Sequence, residues 1–291
     1  MKIQISLSTR CNINCRFCLK ESLKKNYGFI ENIDMDENLA YDIVSKKYDH
    51  IQICGNRGEA LIHPKINEII RIAKNNNNII SFVTNASMKN RNWWIELAHI
   101  LDNRDNVIFP IDGVGNKTHN MHRQSDFYIV LGNIEAFVNA GGKAIWRYIV
   151  FKHNEHQIDL AKHLAKEIGV EFVLLNSHTY DDVLKIPSKI ETKSIKDNLY
   201  FPCDHQELYV NVKGYLFPCC FIANIFGNKP MRDRHNEKKL MSLYEKEMEM
   251  TNLKNNKIEY IIDNSIFFKE CMKKCSSICK GSCYNWSINQ R

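Results

Sequence analysis

Cys11, Cys15 and Cys18 stand in the run Arg10-Cys-Asn-Ile-Asn-Cys-Arg-Phe-Cys18, three thiols within eight residues. Three thiolates so close can hold an iron–sulfur cube by three of its four irons. The fourth iron then stays open to a substrate, as a catalytic metal site keeps one position free. The alternative is a structural zinc site. Zinc normally takes four ligands paired as Cys-x2-Cys, and no fourth ligand lies in this loop. A second set of cysteines follows far downstream: Cys203, Cys219 and Cys220, then Cys271, Cys275, Cys279 and Cys283. Between them, Glu207–Phe217 reads as a hairpin turning at Lys213-Gly214, which brings Cys203 and Cys219 together. A helix would place Cys271, Cys275 and Cys279 along one face, which suits either a cluster or a zinc knuckle built from the four tail cysteines.

Other residue types with chemical capacity sit where strands should end. Gly55-Asn-Arg-Gly-Glu-Ala-Leu-Ile-His-Pro64 carries Gly58, where backbone can approach a ligand, and Glu59, whose carboxylate can accept from an ammonium group. Thr84-Asn85-Ala86 and Ile111-Asp112-Gly113 follow two later apolar runs, the second with His119 and Arg123 downstream. Arg123 suits a carboxylate partner or is equally a surface arginine, and Asp112 could instead cap a turn. Arg147 lies inside an apolar run, where an unpaired charge is costly, so it should face the site or an acidic partner. Cys54, His63 and the other histidines read as packing residues.

The elements that must position these residues alternate. Ile3–Leu7, His50–Cys54, Ile79–Val83, Val107–Ile111, Ala144–Phe151 and Val170–Leu175 read as strands. Between them, Asp34-Met-Asp-Glu37 reads as a capping box opening a helix through Tyr48. Further helices are expected over 65–74, around Trp94–Leu101, over Phe127–Asn139 up to Gly141-Gly142, and over Gln157–Ile168, whose Leu160, Ala161, Leu164 and Ala165 should face inward. Such alternation predicts an α/β fold with a parallel sheet, coiled by right-handed crossovers into a partial (β/α)6 barrel with its chemistry in the loops at the C-terminal strand ends. From about Ser177 the pattern changes to a polar connector, a hairpin, lysine-rich helices and a cysteine-dense tail. The expected division is a barrel core over 1–176 and a small C-terminal cysteine-rich subdomain over 177–291.

Apolar content of 44% and charged content of 25% are those of an ordinary globular protein. No run of eighteen apolar residues suggests a membrane span, and no secretory leader precedes the first strand. Eleven cysteines, clustered and without an export signal, point to metal in a reducing cytoplasm. The formal charge of +7 is scattered, with no basic tract of five or more, so no nucleic-acid partner is expected.

The cysteine loop after a first strand resembles the signature of the radical S-adenosylmethionine (radical SAM) enzymes. The likeness extends along most of the first 175 residues. Gly58-Glu59 is similar to the end of the family's Gly-Gly-Glu-Pro loop, with Arg57 for the first glycine and Ala60 for the proline. Thr84-Asn85-Ala86 is similar to Thr-Asn-Gly. Ile111-Asp112-Gly113 with Arg123 resembles Ser-Ile-Asp-Gly with its downstream arginine, Pro110 standing for the serine. The resemblance implies a [4Fe–4S] cluster on Cys11, Cys15 and Cys18, and SAM held by Gly58, Glu59, Asn85, Asp112 and Arg123. It also implies a 5′-deoxyadenosyl radical that takes hydrogen from the substrate, near which Arg147 is the candidate catalytic residue, and an external low-potential donor such as flavodoxin or ferredoxin.

The downstream cysteines resemble the twitch and SPASM extensions of this family. The tail lacks the SPASM spacing Cys-x2-Cys-x5-Cys-x3-Cys, so the twitch form with one auxiliary [4Fe–4S] cluster fits better. Its ligands would be Cys203, Cys219, Cys279 and Cys283, with Cys220 as a substitute for Cys219, and Cys271 or Cys275 for one of the last pair. With no added segment to grip a leader peptide, a small polar substrate of sugar or aminocyclitol type is expected. The rivals are a maturase of a ribosomally made peptide and a non-enzymatic zinc or electron-transfer module.

Overall fold

The structure is a computed structural model describing residues 1–28, 31–177, 181–188, 207–226 and 238–279. The chain opens with strand β1 (Lys2–Ser6), helices α1 (Leu19–Tyr27) and α2 (Glu37–Val44), and β2 (His50–Cys54). Then come α3 (Ile66–Asn75), β3 (Ile80–Val83), α4 (Arg91–Ile100), β4 (Asn106–Pro110) and the short α5 (Asn116–His119). Helix α6 (Phe127–Asn139), β5 (Ala144–Val150), α7 (Ile158–Ile168) and β6 (Glu171–Asn176) complete the alternating part. Beyond it lie β7 (Glu207–Val210), β8 (Leu216–Phe217) and α8 (Cys220–Phe226). The last helices are α9 (Lys238–Glu247), α10 (Ile258–Asn264) and α11 (Ile266–Cys279).

The eight strands among the described residues join one sheet in the order β6-β5-β4-β3-β2-β1-β7-β8. Strands β1 to β6 pair in parallel with their sequence neighbours, as the alternating α/β pattern requires. Among the described residues β1 and β6 are not neighbours, so the wall is that of a partial barrel. On its other edge β1 pairs in parallel with β7, and β8 returns antiparallel. The turn between β7 and β8 places Gly214 at φ 88°, where a Cβ would stand 2.7 Å from Leu39. The sheet therefore runs across the expected boundary at 176/177.

Strand periodicity sends alternate residues to opposite faces. Ile3, Ile5, Ile51, Ile53, Ile80, Phe82, Val107, Phe109, Trp146 and Tyr148 belong to the main core. There the rings of Trp94 and Phe109 stand 5.6 Å apart, and those of Phe109 and Phe137 6.1 Å apart. Burying each such side chain stabilises the fold by about 1.5–3 kcal/mol. The other face is polar toward β1 and β2, where Gln4, Ser6, Gln52 and Ser81 are buried. A second core of Tyr209, Phe217, Ile222, Phe226, Tyr244, Phe267 and Cys271 ties the hairpin to α8, α9 and α11.

Local details depart from expectation in three places. Asp36, not Asp34, caps α2, accepting from the Leu39 amide at 3.0 Å, and the helix stops at Val44 instead of Tyr48. Asp34 is drawn away by Ser8, whose hydroxyl donates to it at 2.7 Å, and by the Arg10 guanidinium. Leu160 is 53% exposed, because the inward stripe of α7 runs through buried Ala161 and Ala165 with Leu164 packed against the core beside them. No helix among the described residues is long and apolar enough to cross a membrane.

Candidate active site

The segment after β1 cannot continue as a strand, because it folds back on itself within a few residues. Within it the Cys18 amide donates to the Cys15 carbonyl at 3.1 Å, and Phe17 adopts φ 65°. A bulky residue in the left-handed region costs about 1–3 kcal/mol. The surroundings hold it: the Phe17 ring packs 6.3 Å from both His122 and Phe151. The turn sets Cys11, Cys15 and Cys18, all free thiols, into the lining of one cavity of about 370 Å³. Burial pushes the Cys11 thiol up, and pushes Cys15 up to about 11 against the pull of Arg123. Among the described residues no three His, Cys, Asp or Glu side chains close on a single ion. A cube takes each thiolate at a separate iron.

The loop after β2 supplies the facing wall. Gly58 packs against the cysteine segment so closely that a Cβ would stand 2.2 Å from the Ser8 carbonyl oxygen. The Glu59 amide donates to the Arg10 carbonyl at 2.7 Å, joining the two loops. The Glu59 side chain is buried and accepts from the Leu61 amide at 3.2 Å and the Asn85 amide at 2.8 Å. Burial raises its pKa while these bonds and the Thr84 hydroxyl oppose the rise. Ala60, where the resemblance has proline, begins a single 3-10 turn, Ala60–Ile62, capped by that same carboxylate. Arg57, where it has glycine, reaches the Ala223 carbonyl at 3.5 Å as Asn56 reaches Asn224 at 3.3 Å, so the loop braces α8.

Asn85 follows β3. Its side-chain amide lies 3.8 Å from the Cys11 sulfur and donates to Asn12 at 3.0 Å. Ala86 takes φ 53°, the left-handed conformation that glycine adopts freely.

After β4 the chain folds over the cysteine loop. The His122 carbonyl accepts from the Arg16 amide at 2.9 Å, and the Arg123 carbonyl lies 3.3 Å from the Cys15 sulfur. Arg123 lines the cavity, whereas Asp112 is fully buried behind it. One Asp112 oxygen takes both His122 Nδ1, at 2.7 Å, and Arg123 Nε, while the other takes the Ile149 amide at 2.6 Å. Burial alone would raise the Asp112 carboxyl, but Arg123 and His122 hold it well below the usual range. Its oxygens face these partners, which makes it a support for Arg123. His122, whose sequence context suggests a packing residue, shares the Asp112 carboxylate with Arg123. Its position directly before Arg123 is the signal of this role in the sequence.

Arg147 lies on the face of β5 opposite Trp146 and Tyr148, two residues before Ile149, which lines the cavity. Of the second cysteine set, Cys219 stands half-buried at the start of α8, its sulfur 3.5 Å from the Ile222 amide. Cys271 is wholly buried in the second core. Cys203 and Cys283 lie outside the described residues. Cys279 ends α11.

A sequence profile described as the Radical SAM superfamily matches residues 5–166. A curated relative from Pyrococcus furiosus, "Tungsten-containing aldehyde ferredoxin oxidoreductase cofactor-modifying protein", is 24% identical over 196 residues. That match takes in 60% of this chain and 51% of the relative, so the chain spans about half the relative's length. Streptococcus suis SuiB bound to S-adenosylmethionine shares the fold with a TM-score of 0.61 at 13% identity, over 83% of this chain and 68% of SuiB. Native anSMEcpe with bound AdoMet does so with a TM-score of 0.57 at 13% identity, over the whole of both chains. The matched span holds the cysteine loop, the Glu59 and Asn85 loops and the Asp112–Arg123 segment, and is more than half of the 291 residues. The chain belongs to the radical SAM superfamily, whose enzymes use a [4Fe–4S] cluster and S-adenosylmethionine.

Proposed function

We propose that this enzyme removes a hydrogen atom from an unactivated carbon of a small polar substrate of sugar or aminocyclitol type, with net oxidation, dehydration or epimerisation. One observation carries the reading: the three thiols line the same cavity as Glu59, Asn85 and Arg123. When bound, the cluster and SAM supply a one-electron cleavage yielding a 5′-deoxyadenosyl radical able to take hydrogen from carbon. The chain's own residues bind and orient. Cys11, Cys15 and Cys18 would hold three irons. Each Glu59 oxygen has accepting capacity beyond its backbone bond, which suits the SAM ammonium, and Gly58 leaves the room for that approach. Arg123 suits the SAM carboxylate, with Asp112 aiming it and keeping it charged. Asn85 steadies Cys11, and Arg147 stands toward the substrate. Val83, Ile149 and Leu175 give the cavity an apolar side that discourages water.

Residues 177–291 are assigned to a connector and a twitch-like subdomain with one auxiliary [4Fe–4S] cluster on Cys203, Cys219, Cys279 and Cys283. A sulfur at a helix N-terminus, like Cys219, is a favoured thiolate position. The complete burial of Cys271 suits packing better than ligation. Electrons would come from an external low-potential donor, flavodoxin or ferredoxin, in a reducing cytoplasm. A peptide substrate is the second reading. It is favoured by the shared fold of SuiB bound to the precursor peptide SuiA (TM-score 0.59) and of anSMEcpe bound to the Cp18Cys peptide (TM-score 0.55).

Anaerobic reconstitution followed by iron and sulfide counting and a dithionite-driven 5′-deoxyadenosine assay tests the reading. About eight irons are expected for two clusters and about four for one. Cys15→Ala should abolish nucleoside formation. Zinc in place of iron, or clusters without SAM cleavage, would overturn it. Deuterium carried from sugar or peptide candidates into the nucleoside would separate the two substrate readings.

A further inference from the structure

We propose that Arg147 anchors an oxyanion on the substrate, a carboxylate or a phosphate ester. The inference rests on the cavity being the substrate site and narrows which substrates fit it. Arg147 has no hydrogen-bond or ion-pair partner among the described residues. Its backbone is paired between Pro110 on β4 and Val173 on β6, with Ile145 and Ile149 next on the same face. These four flanking residues are apolar and offer it no bond. Pro110, its partner across the strands, and Ile149, two residues on, both line the cavity, so Arg147 stands beside it on the same face of the sheet. The residue is only partly buried, although burial is the largest influence on its guanidinium.

The charges nearby among the described residues leave this cation uncompensated. Asp112 attracts Arg147, but both Asp112 oxygens are already held by Arg123, His122 and the Ile149 amide. Arg123 repels it, and Cys54 is a buried thiol whose pKa is pushed up to about 12, so it brings no charge at neutral pH. Burial and Arg123 lower Arg147 to about 10, which still leaves it cationic. A buried arginine without a carboxylate of its own is costly unless a partner arrives in the working state. Its planar fork matches carboxylate and phosphate oxygens two at a time.

Position argues against the cosubstrate as that partner. Glu59, Asn85 and Arg123 stand in loops beyond the strand ends, whereas Arg147 lies within β5, deeper in the barrel. The substrate is therefore an acid or a phosphorylated compound, such as a sugar acid or sugar phosphate. A free aminocyclitol, itself a cation, would be repelled.

The test uses phenylglyoxal, which modifies arginine, on the cluster-loaded full chain, with the Arg147 peptide followed by mass spectrometry. Inorganic phosphate, acetate, SAM and chloride at matched ionic strength are the probes. At about ten times its Kd, a bound oxyanion should slow Arg147 modification about tenfold. Protection by phosphate points to a phosphate ester, and protection by acetate to a carboxylate. An unreactive Arg147, protection by SAM alone, or equal protection by chloride would overturn the proposal. Arg147→Met should melt at or above the wild-type temperature, since it removes an unpaired charge. A clear fall would reveal a structural partner and defeat the proposal. None of these readouts requires SAM cleavage, so a chain inactive in the nucleoside assay would sink the catalytic reading and leave this result standing.

Discussion

Asp112 holds the wall opposite the cysteine loop, because it is the anion shared by Arg123 and His122. Removing one partner from a buried charge network costs about 3–5 kcal/mol. Asp112→Asn should therefore lower stability by about that amount near neutral pH, measured by urea denaturation. The dependence on acidity follows from the direction of its shift. The folded carboxyl titrates below its unfolded value of about 3.9, so its contribution is complete above that pH and is lost as the pH falls toward the folded value. The gap between wild type and Asp112→Asn should narrow below about pH 4; a gap constant with pH would contradict this account. At this scale the sequence was informative wherever residue type alone carries chemistry, as with the three cysteines. It was silent on Asp112's partners, because His122 and the Ile149 amide reach it only through the fold.

Between elements, the contact that matters most is that of the Glu59 loop with the cysteine loop. Gly58 lies against the backbone of Ser8, Thr9 and Arg10, where any Cβ would meet carbonyl atoms that have no rotamer to escape into. Gly58→Ala should cost about 1–3 kcal/mol of overpacking, read as a lower urea midpoint. An unchanged midpoint would show that the loops do not touch. Strands and long helices were legible: α6 spans the expected Phe127–Asn139, since its apolar stripe and following glycines both mark it. Helix starts were less so. Asp34 and Asp36 both suit a cap, and only the tertiary pull of Arg10 and Ser8 on Asp34 decides between them. Helix α1 was not foreseen, since its lysine-rich Leu19–Tyr27 carries little apolar periodicity.

Across the whole molecule, the feature beyond the reach of local periodicity is the pairing of β7 with β1. The sequence marks the hairpin, but nothing local says which edge it joins or that it joins in parallel. That pairing makes the later residues part of the barrel wall. Leu208 and Val210 on β7 are buried in the main core, a contribution of about 3–6 kcal/mol together. This is comparable with the net stability of a whole domain. A chain cut after residue 176 should lose cooperative unfolding and aggregate, seen by urea titration and light scattering; a soluble, cooperatively folded fragment would refute this. The same pairing fixes an order of events during synthesis. β1 leaves the ribosome ahead of the rest of the sheet and carries the cysteine loop directly behind it, yet one edge stays bare until residue 207 has emerged. Iron delivered before that point would meet a half-built wall.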